Sequence, residues 1–432
     1  MAQAEGSEGA TSGRTSAMTD ARVAGEGRLR VCVVGSGFRF MSGISNHTCR
    51  LANTLAERHE VSAILMRRLV PRRLYPGAAR VGKPLSCLRY RDDVACFDGV
   101  DYYWIPSLPR ALRFLARQRP DVVVFEWWSG SVLHSYLVLA LAAARLGARV
   151  VIEFHETLDT AEDAIAPARL YVHLLRPLFL RLAHGAAVHS AVDAAVVAAM
   201  PGLRGKPVEV VPTGPYDHLL GLQTDRSGPP GRRRSAARGA GGSPGSGETE
   251  HSRPPAADDV CELLFFGTIR PYKGLEHLIA AFDGLEPEEA RGLHLTVVGE
   301  TWEGWTLPGE LIAASPYRER IEFVNSYVRD EEAAAYFGRA DAVVLPYLRS
   351  SGSGPLRIAM SYGLPVGVAA VGALPQAAAG YEGARFFPPV DVAALRATLL
   401  ELRAMKGRRY ANPNSWARST AALEHLFADA LA

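Results

Sequence analysis

Two stretches in the second half of the chain combine cations, glycines and hydroxyls in a way that suits an anionic ligand. In Phe266-Gly267-Thr268-Ile269-Arg270-Pro271-Tyr272-Lys273-Gly274 an apolar run gives way to a helix-like pattern. Backbone N–H groups at a helix start carry partial positive charge, and Arg270 and Lys273 add cations beside them, which suits a pyrophosphate. The same residues are equally compatible with a plain βα turn bearing two solvated cations. The second stretch, Pro346-Tyr347-Leu348-Arg349-Ser350-Ser351-Gly352-Ser353-Gly354-Pro355, also follows an apolar run and precedes a helix pattern at about Leu356. Glycines there let backbone approach a ligand and the hydroxyls add donors and acceptors, although a Gly/Ser loop alone is more often just a turn. In the first half, Ile152-Glu153-Phe154-His155-Glu156 ends an apolar run with His155 at its carboxyl tip. That is where an open α/β sheet presents ligand groups. Glu156, next door, is a candidate for binding hydroxyls.

Positioning these residues takes two sets of alternating elements. Leu29–Val34, Val61–Leu65, Val122–Phe125, Val150–Phe154, Ala186–Val188 and Val208–Val211 are short apolar runs. They alternate with helix-like segments at about Gly43–Arg58 and Ala168–Leu182. After residue 260 the alternation restarts with Leu263–Phe266, and Leu275, Leu278, Ile279 and Phe282 mark a helix at i, i+3, i+4, i+7. Leu295–Val298, Ile321–Val324, Ala342–Leu345 and Pro365–Ala369 follow. Uninterrupted apolar strands alternating with helices predict parallel sheets covered on both faces. The expected organisation is a disordered leader over 1–27, a Rossmann-like domain over 28–215 and a linker with a Gly/Pro/Ser/Arg insertion over 216–259. A second Rossmann-like domain over 260–404 and a terminal helix within 405–432 complete it. Two such domains place a cleft at the carboxyl ends of both sheets.

Composition narrows the function. Net charge of +3 and a pI near 8.6 assist a phosphate-bearing ligand without calling for nucleic acid. Cys32, Cys49, Cys87, Cys96 and Cys261 lack any C-x-x-C pair, which argues against disulfides and structural zinc and for a reducing, cytoplasmic setting. No metal site is expected. The apolar run from Val132 to Phe154 is interrupted by His134, Arg145, Gly147 and Arg149, so it reads as a buried helix feeding a strand rather than a membrane span. Gly35-Ser36-Gly37 and Met41-Ser42-Gly43-Ile44-Ser45 fill the first βα loop, but Phe40 breaks a G-x-G-x-x-G fingerprint, so no NAD or FAD and no other cofactor is expected. Arg67 to Arg73 mix four arginines with apolar residues. The stretch suits an anionic membrane at the inner face, or simply a solvated loop.

Four blocks together resemble retaining glycosyltransferase family 4. They are Phe265 to Gly274, Ala340-Asp341-Ala342-Val343-Val344-Leu345-Pro346, Ala359-Met360-Ser361-Tyr362-Gly363-Leu364-Pro365-Val366 and Val371-Gly372-Ala373-Leu374-Pro375. Weaker similarity extends over nearly the whole chain beyond residue 28. The resemblance implies an α/β GT-B fold, two doubly wound domains facing a cleft, with a C-terminal helix crossing back to the first. It implies sugar transfer with retention from a nucleoside diphosphate sugar to an acceptor hydroxyl (a glycan, lipid-linked sugar or small molecule), without metal. The family's phosphate-binding lysine falls on Lys273 and its partner arginine on Thr268, with Arg270 as the candidate substitute. Its glycine-rich first loop falls on Gly43, its histidine on His155, and Glu156 lies on the acceptor side. Its two glutamates fall on Ser350 and Ile358, neither acidic, so this is a divergent member. Donor contacts are then expected from Ser350, Ser351, Gly352, Ser353, Gly354 and Arg357. The missing glutamates motivate a rival reading, a degenerate scaffold that binds another glycosyltransferase. A nucleotide-sugar epimerase is a second rival.

Overall fold

The computed structural model describes residues 27–38, 43–68, 86–101, 106–156, 166–223, 259–301, 305–350 and 352–432. All but Gly27 of the expected leader, most of the linker with its Gly/Pro/Ser/Arg insertion, and Ser351 lie outside them. So do all but two residues of the Arg67 to Arg73 stretch.

Seven parallel strands form the first sheet: β1 (Arg30–Ser36), β2 (Glu60–Arg68), β3 (Ala95–Asp101), β4 (Val122–Trp127), β5 (Arg149–Phe154), β6 (Gly185–Val188) and β7 (Val208–Val210). Their order is β3-β2-β1-β4-β5-β6-β7. Because successive side chains point to opposite faces, the sheet feeds two apolar layers. One joins Val34, Val123, Phe125, Val150 and Ile152 to helices Ser107–Gln118, Leu133–Arg145 and Ala166–Leu182. The other joins Val31, Val33, Val122, Val124 and Val151 to helix Gly43–Leu55 and to the terminal helix Trp416–Leu431. The second sheet has six parallel strands: β8 (Cys261–Phe266), β9 (Leu293–Val298), β10 (Ile321–Val324), β11 (Ala342–Leu345), β12 (Val366–Ala369) and β13 (Ala384–Phe387). Their order is β10-β9-β8-β11-β12-β13. Both orders reverse once, between β1 and β4 and between β8 and β11. Those switch points are where an open α/β sheet leaves a crevice at its carboxyl ends.

The strands and helices expected from periodicity are present. β3, β13 and helix Ser107–Gln118 had not been expected. β3 is half solvated over Ala95–Asp98 and carries Asp98 and Gly99, and β13 is mostly half-exposed. Edge strands of this kind lack the continuous apolar run of a buried strand.

The terminal helix docks on the first sheet. Trp416 Nε1 donates to the Pro215 carbonyl (2.9 Å) and Ser419 Oγ to that of Pro212 (2.5 Å). Arg58 and His59 both bond Glu424, at 2.7 and 3.0 Å. Leu423, Leu426 and Phe427 are fully buried there. Further ties cross between the halves: Asp330 accepts from Ser86 Oγ (2.7 Å) and Cys87 N–H (2.9 Å), and Gln376 Oε1 accepts from Ala191 N–H (2.7 Å). Leu423→Ala should lower unfolding free energy by roughly 2–5 kcal/mol, the cost of a cavity at a buried leucine. Denaturant unfolding of the full chain measures it.

Candidate active site

The second sheet contributes two loops that lock onto each other. The loop after β8 makes a single tight turn over Pro271–Lys273, and helix Leu275–Asp283 then begins with no side chain capping it. Gly274 sits at φ +64°, and a Cβ there would lie 2.0 Å from the Pro346 carbonyl oxygen, so glycine alone fits the junction. Leu348 N–H donates to the Tyr272 carbonyl (2.8 Å). Lys273 is buried; its Nζ donates to Tyr347 Oη (2.7 Å) and lies 4.2 Å from that ring's centre. Burial, with a smaller push from Arg270, lowers its pKa to about 8. A half-buried Arg270 heads the turn. Ser353 Oγ caps helix Gly354–Ser361 by accepting the Leu356 N–H (3.2 Å) and lies 3.4 Å from Tyr347 Oη.

At the position of the family's first glutamate, the Ser350 hydroxyl is turned inward on its own loop. It donates to the Gly352 carbonyl (2.9 Å) and accepts the Gly352 N–H (3.1 Å). Ile358, at the second position, packs in the apolar core, because it faces the sheet side of its helix. Arg357 takes the other side. Its guanidinium donates to Thr213 Oγ1 (2.9 Å) and lies 5.6 Å from the Tyr216 ring centre. Tyr216 Oη in turn donates to the Gly43 carbonyl (2.7 Å), so the first βα loop, the segment after β7 and Arg357 form one chain of contacts. A Cβ on Gly354 would lie 3.6 Å from the Tyr216 ring, while half-buried Thr268 follows Gly267 and exposed Glu156 follows His155.

Opposite them, the ends of β4 and β5 present a buried polar cluster. Glu126 and Glu153 are register partners on adjacent strands, both with no exposure. His47 Nε2 bonds Glu153 Oε1 (3.0 Å), and His189 Nε2 lies 3.7 Å from the same atom. The Val211 carbonyl can only accept, so the 3.0 Å contact to His189 Nδ1 puts a proton on that nitrogen. Burial drops His189 to about 4, leaving its Nε2 a bare acceptor for His155 Nδ1–H at 3.1 Å. His155 is likewise pushed well below the usual imidazole range by burial and by His47. Its Nε2 therefore holds a lone pair, buried and without a protein partner. Burial and the Arg357 charge drop His47 to about 3.

Glu126 also meets the first βα helix through Thr48. Thr48 Oγ1 has one proton and contacts both the Ile44 carbonyl (2.9 Å), which can only accept, and the Glu126 carboxyl. Burial, then the Glu153 charge, raise Glu126 well above the carboxylate range, against a smaller opposing pull from the Thr48 hydrogen bond. Among the described residues, His47, Glu126, Glu153 and His155 are the group able to approach one ion, with donor atoms all within 4.8 Å of one another.

Periodicity did not expose this cluster, but it left a signal. VVVFEW and RVVIEF each place one glutamate inside an otherwise buried strand, where an unpaired charge is costly. Of the arginine-rich stretch, Arg67 and Arg68 are described, and both reach buried Asp101, Arg67 Nε at 3.1 Å and Arg68 Nε at 3.8 Å.

Gly35 is the cluster's spacer: a Cβ there would lie 2.6 Å from Glu126 Oε2 and 2.7 Å from Thr48 Oγ1. Gly35→Ala should cost roughly 1–3 kcal/mol of stability through overpacking, read by thermal or denaturant unfolding.

Comparison with known proteins agrees with this geometry. The family model described as Glycosyltransferase Family 4 matches residues 41–215, and that described as Glycosyl transferases group 1 matches 261–404. A GDP-mannose:glycolipid 4-beta-D-mannosyltransferase of Xanthomonas campestris pv. campestris is 36% identical over 106 residues. That match spans only 24% of this chain and 29% of the relative. Sucrose-phosphate synthase from Thermosynechococcus elongatus shares the fold at TM-score 0.58 and 16% identity, over 92% of this chain and 96% of that one. Anabaena Alr3699/HepE, solved in complex with UDP, does so at 0.57 and 14%, over 92% and 98%.

Proposed function

We infer that this chain, which belongs to the family 4 type of GT-B glycosyltransferases, moves a sugar from a nucleoside diphosphate sugar to an acceptor hydroxyl of a glycan, lipid-linked sugar or small molecule. The observation that supports this best is a buried lysine beside an uncapped helix start, at the switch point of the second sheet. Charge develops on the departing diphosphate, and fixed donors in a water-poor cleft stabilise it strongly. Lys273 and Arg270 supply that charge. Gly43, Thr268, Ser353, Gly354 and Arg357 line the donor, Glu156 meets the acceptor, and no metal is required. A cytoplasmic location is read from five unpaired cysteines. No described helix is long and apolar enough to cross a membrane. The scaffold and epimerase readings gain nothing from the relatives named above.

The resemblance implies retention, with the leaving phosphate taking the acceptor proton. Inversion is the second reading, favoured by the fixed lone pair on His155 Nε2. There His155 would accept the acceptor's proton as the new C1–O bond forms and the diphosphate leaves. The Xanthomonas relative is named for a β linkage.

A panel of nucleotide sugars tests the reading. At least one should release nucleoside diphosphate with acceptor, Lys273→Ala should reduce release at least a hundredfold, and EDTA should leave it unchanged. Folded protein that releases none from any donor contradicts transfer. NMR of the product's anomeric proton separates retention from inversion.

A further inference from the structure

We propose that the outer face formed by helices Ser107–Gln118, Leu133–Arg145 and Ala166–Leu182 docks this protein on an anionic lipid bilayer. The three helices lie side by side on one face of the first sheet, with His134 Nδ1 and Tyr171 Oη in contact at 2.6 Å. Helix Ala166–Leu182 turns Phe179 and Leu180 inward, yet leaves Leu170, Leu174 and Leu178 at 59%, 59% and 45% exposure. These three recur every four residues, which makes one continuous apolar stripe along the helix. Leu141 on the neighbouring helix and Leu146 just past its end add further exposed apolar surface. Isolated exposed leucines are ordinary, but a stripe of this length is a mark of an interaction site.

The charge on this face selects the partner. The three helices carry three, one and three arginines, and no aspartate or glutamate. Arg169, Arg176 and Arg181 lie on the stripe's own helix, and among the described residues none of them forms an ion pair. Arg181 falls on the stripe, while Arg169 and Arg176 flank the helix's other side. An apolar stripe on helices that carry arginines and no acidic residue matches an anionic interface, where leucines enter the acyl boundary and guanidinium groups meet phosphates. A protein partner would more often be met by a surface of mixed sign.

The topology adds a direction. Helices Leu133–Arg145 and Ala166–Leu182 follow β4 and β5, so both begin at the carboxyl-end side of the sheet, where the His155 cluster sits. A bilayer against this face therefore lies beside the cleft rim. That the membrane presents a lipid-linked acceptor there rests on the transfer reading; the docking itself does not. The contact is placed on these helices and not on the arginine-rich stretch, whose Arg67 and Arg68 already pair with Asp101.

Co-sedimentation with vesicles, without donor or acceptor, tests docking separately from transfer. Wild type should bind vesicles of phosphatidylglycerol and phosphatidylcholine in equal parts, and bind phosphatidylcholine alone at least tenfold more weakly. Leu170→Ser/Leu174→Ser/Leu178→Ser and Arg169→Gln/Arg176→Gln/Arg181→Gln should each lose at least tenfold in affinity. Both should keep the wild-type melting temperature within a few degrees, since the changed leucines are largely solvated. Diphosphate release with a water-soluble acceptor should be unaltered. Wild type that ignores anionic vesicles, leucine variants that bind as wild type, or a dimer broken by the leucine changes would each overturn the proposal.

Discussion

Parallel strands covered on both faces leave only their ends for polar chemistry, and this constraint organises the molecule. Each sheet here is apolar on both sides, so a buried charged or hydrogen-bonding side chain must meet a partner, as Glu262 meets His294 and Thr296 toward the amino ends of β8 and β9, or face a ligand at a carboxyl end. Glu126, Glu153, His155 and His189 sit within or just past the last residues of their strands, and Lys273 sits in the turn that follows β8. None is a surface charge that solvent could satisfy. Each therefore either finds a protein partner, as Lys273 does in Tyr347, or holds an unused lone pair, as His155 does.

The segment after β7, carrying Thr213 and Tyr216, ties the two sheets together. Arg357 belongs to the second sheet's helix, yet it bonds Thr213 and its charge is felt by His47, His155 and His189. Tyr216 joins that arginine to Gly43 in the first βα loop. Groups carried by the two sheets are thus coupled through Arg357, Thr213 and Tyr216, and an anion arriving near Arg357 would enter a field that already reaches the histidines. The terminal helix, pinned by Trp416 and Ser419 to Pro215 and Pro212, braces the same segment from behind.

Much of the fold was legible because buried parallel strands announce themselves as unbroken apolar runs. Both βα loops of the second sheet, and His155 at the tip of β5, could be placed from such runs alone. What escaped did so for physical reasons. β3 and β13 are edges with solvated residues, so their pattern is diluted. The His–Glu cluster joins residues 47, 126, 153, 155 and 189, brought together by strand order rather than by spacing, and only the glutamates inside apolar strands hinted at it. Ser350 illustrates the reverse case. Its position in the sequence suggested a ligand contact, whereas its hydroxyl is consumed by its own turn.

The central claim is that Lys273 is the buried cation that receives a diphosphate, and its lowered pKa of about 8 makes that directly measurable. A cation-dependent anion site is occupied well below that value and weakens as pH rises through it, since the bound form needs the proton. Calorimetric titration of UDP and GDP across pH 6.5 to 9.5 should show, for whichever nucleotide binds, a dissociation constant flat below about 8 and rising about tenfold per unit above it. Lys273→Met should bind weakly at every pH, with that rise removed. A wild-type profile without the rise, or a Lys273→Met protein that binds as tightly as wild type, would contradict the account.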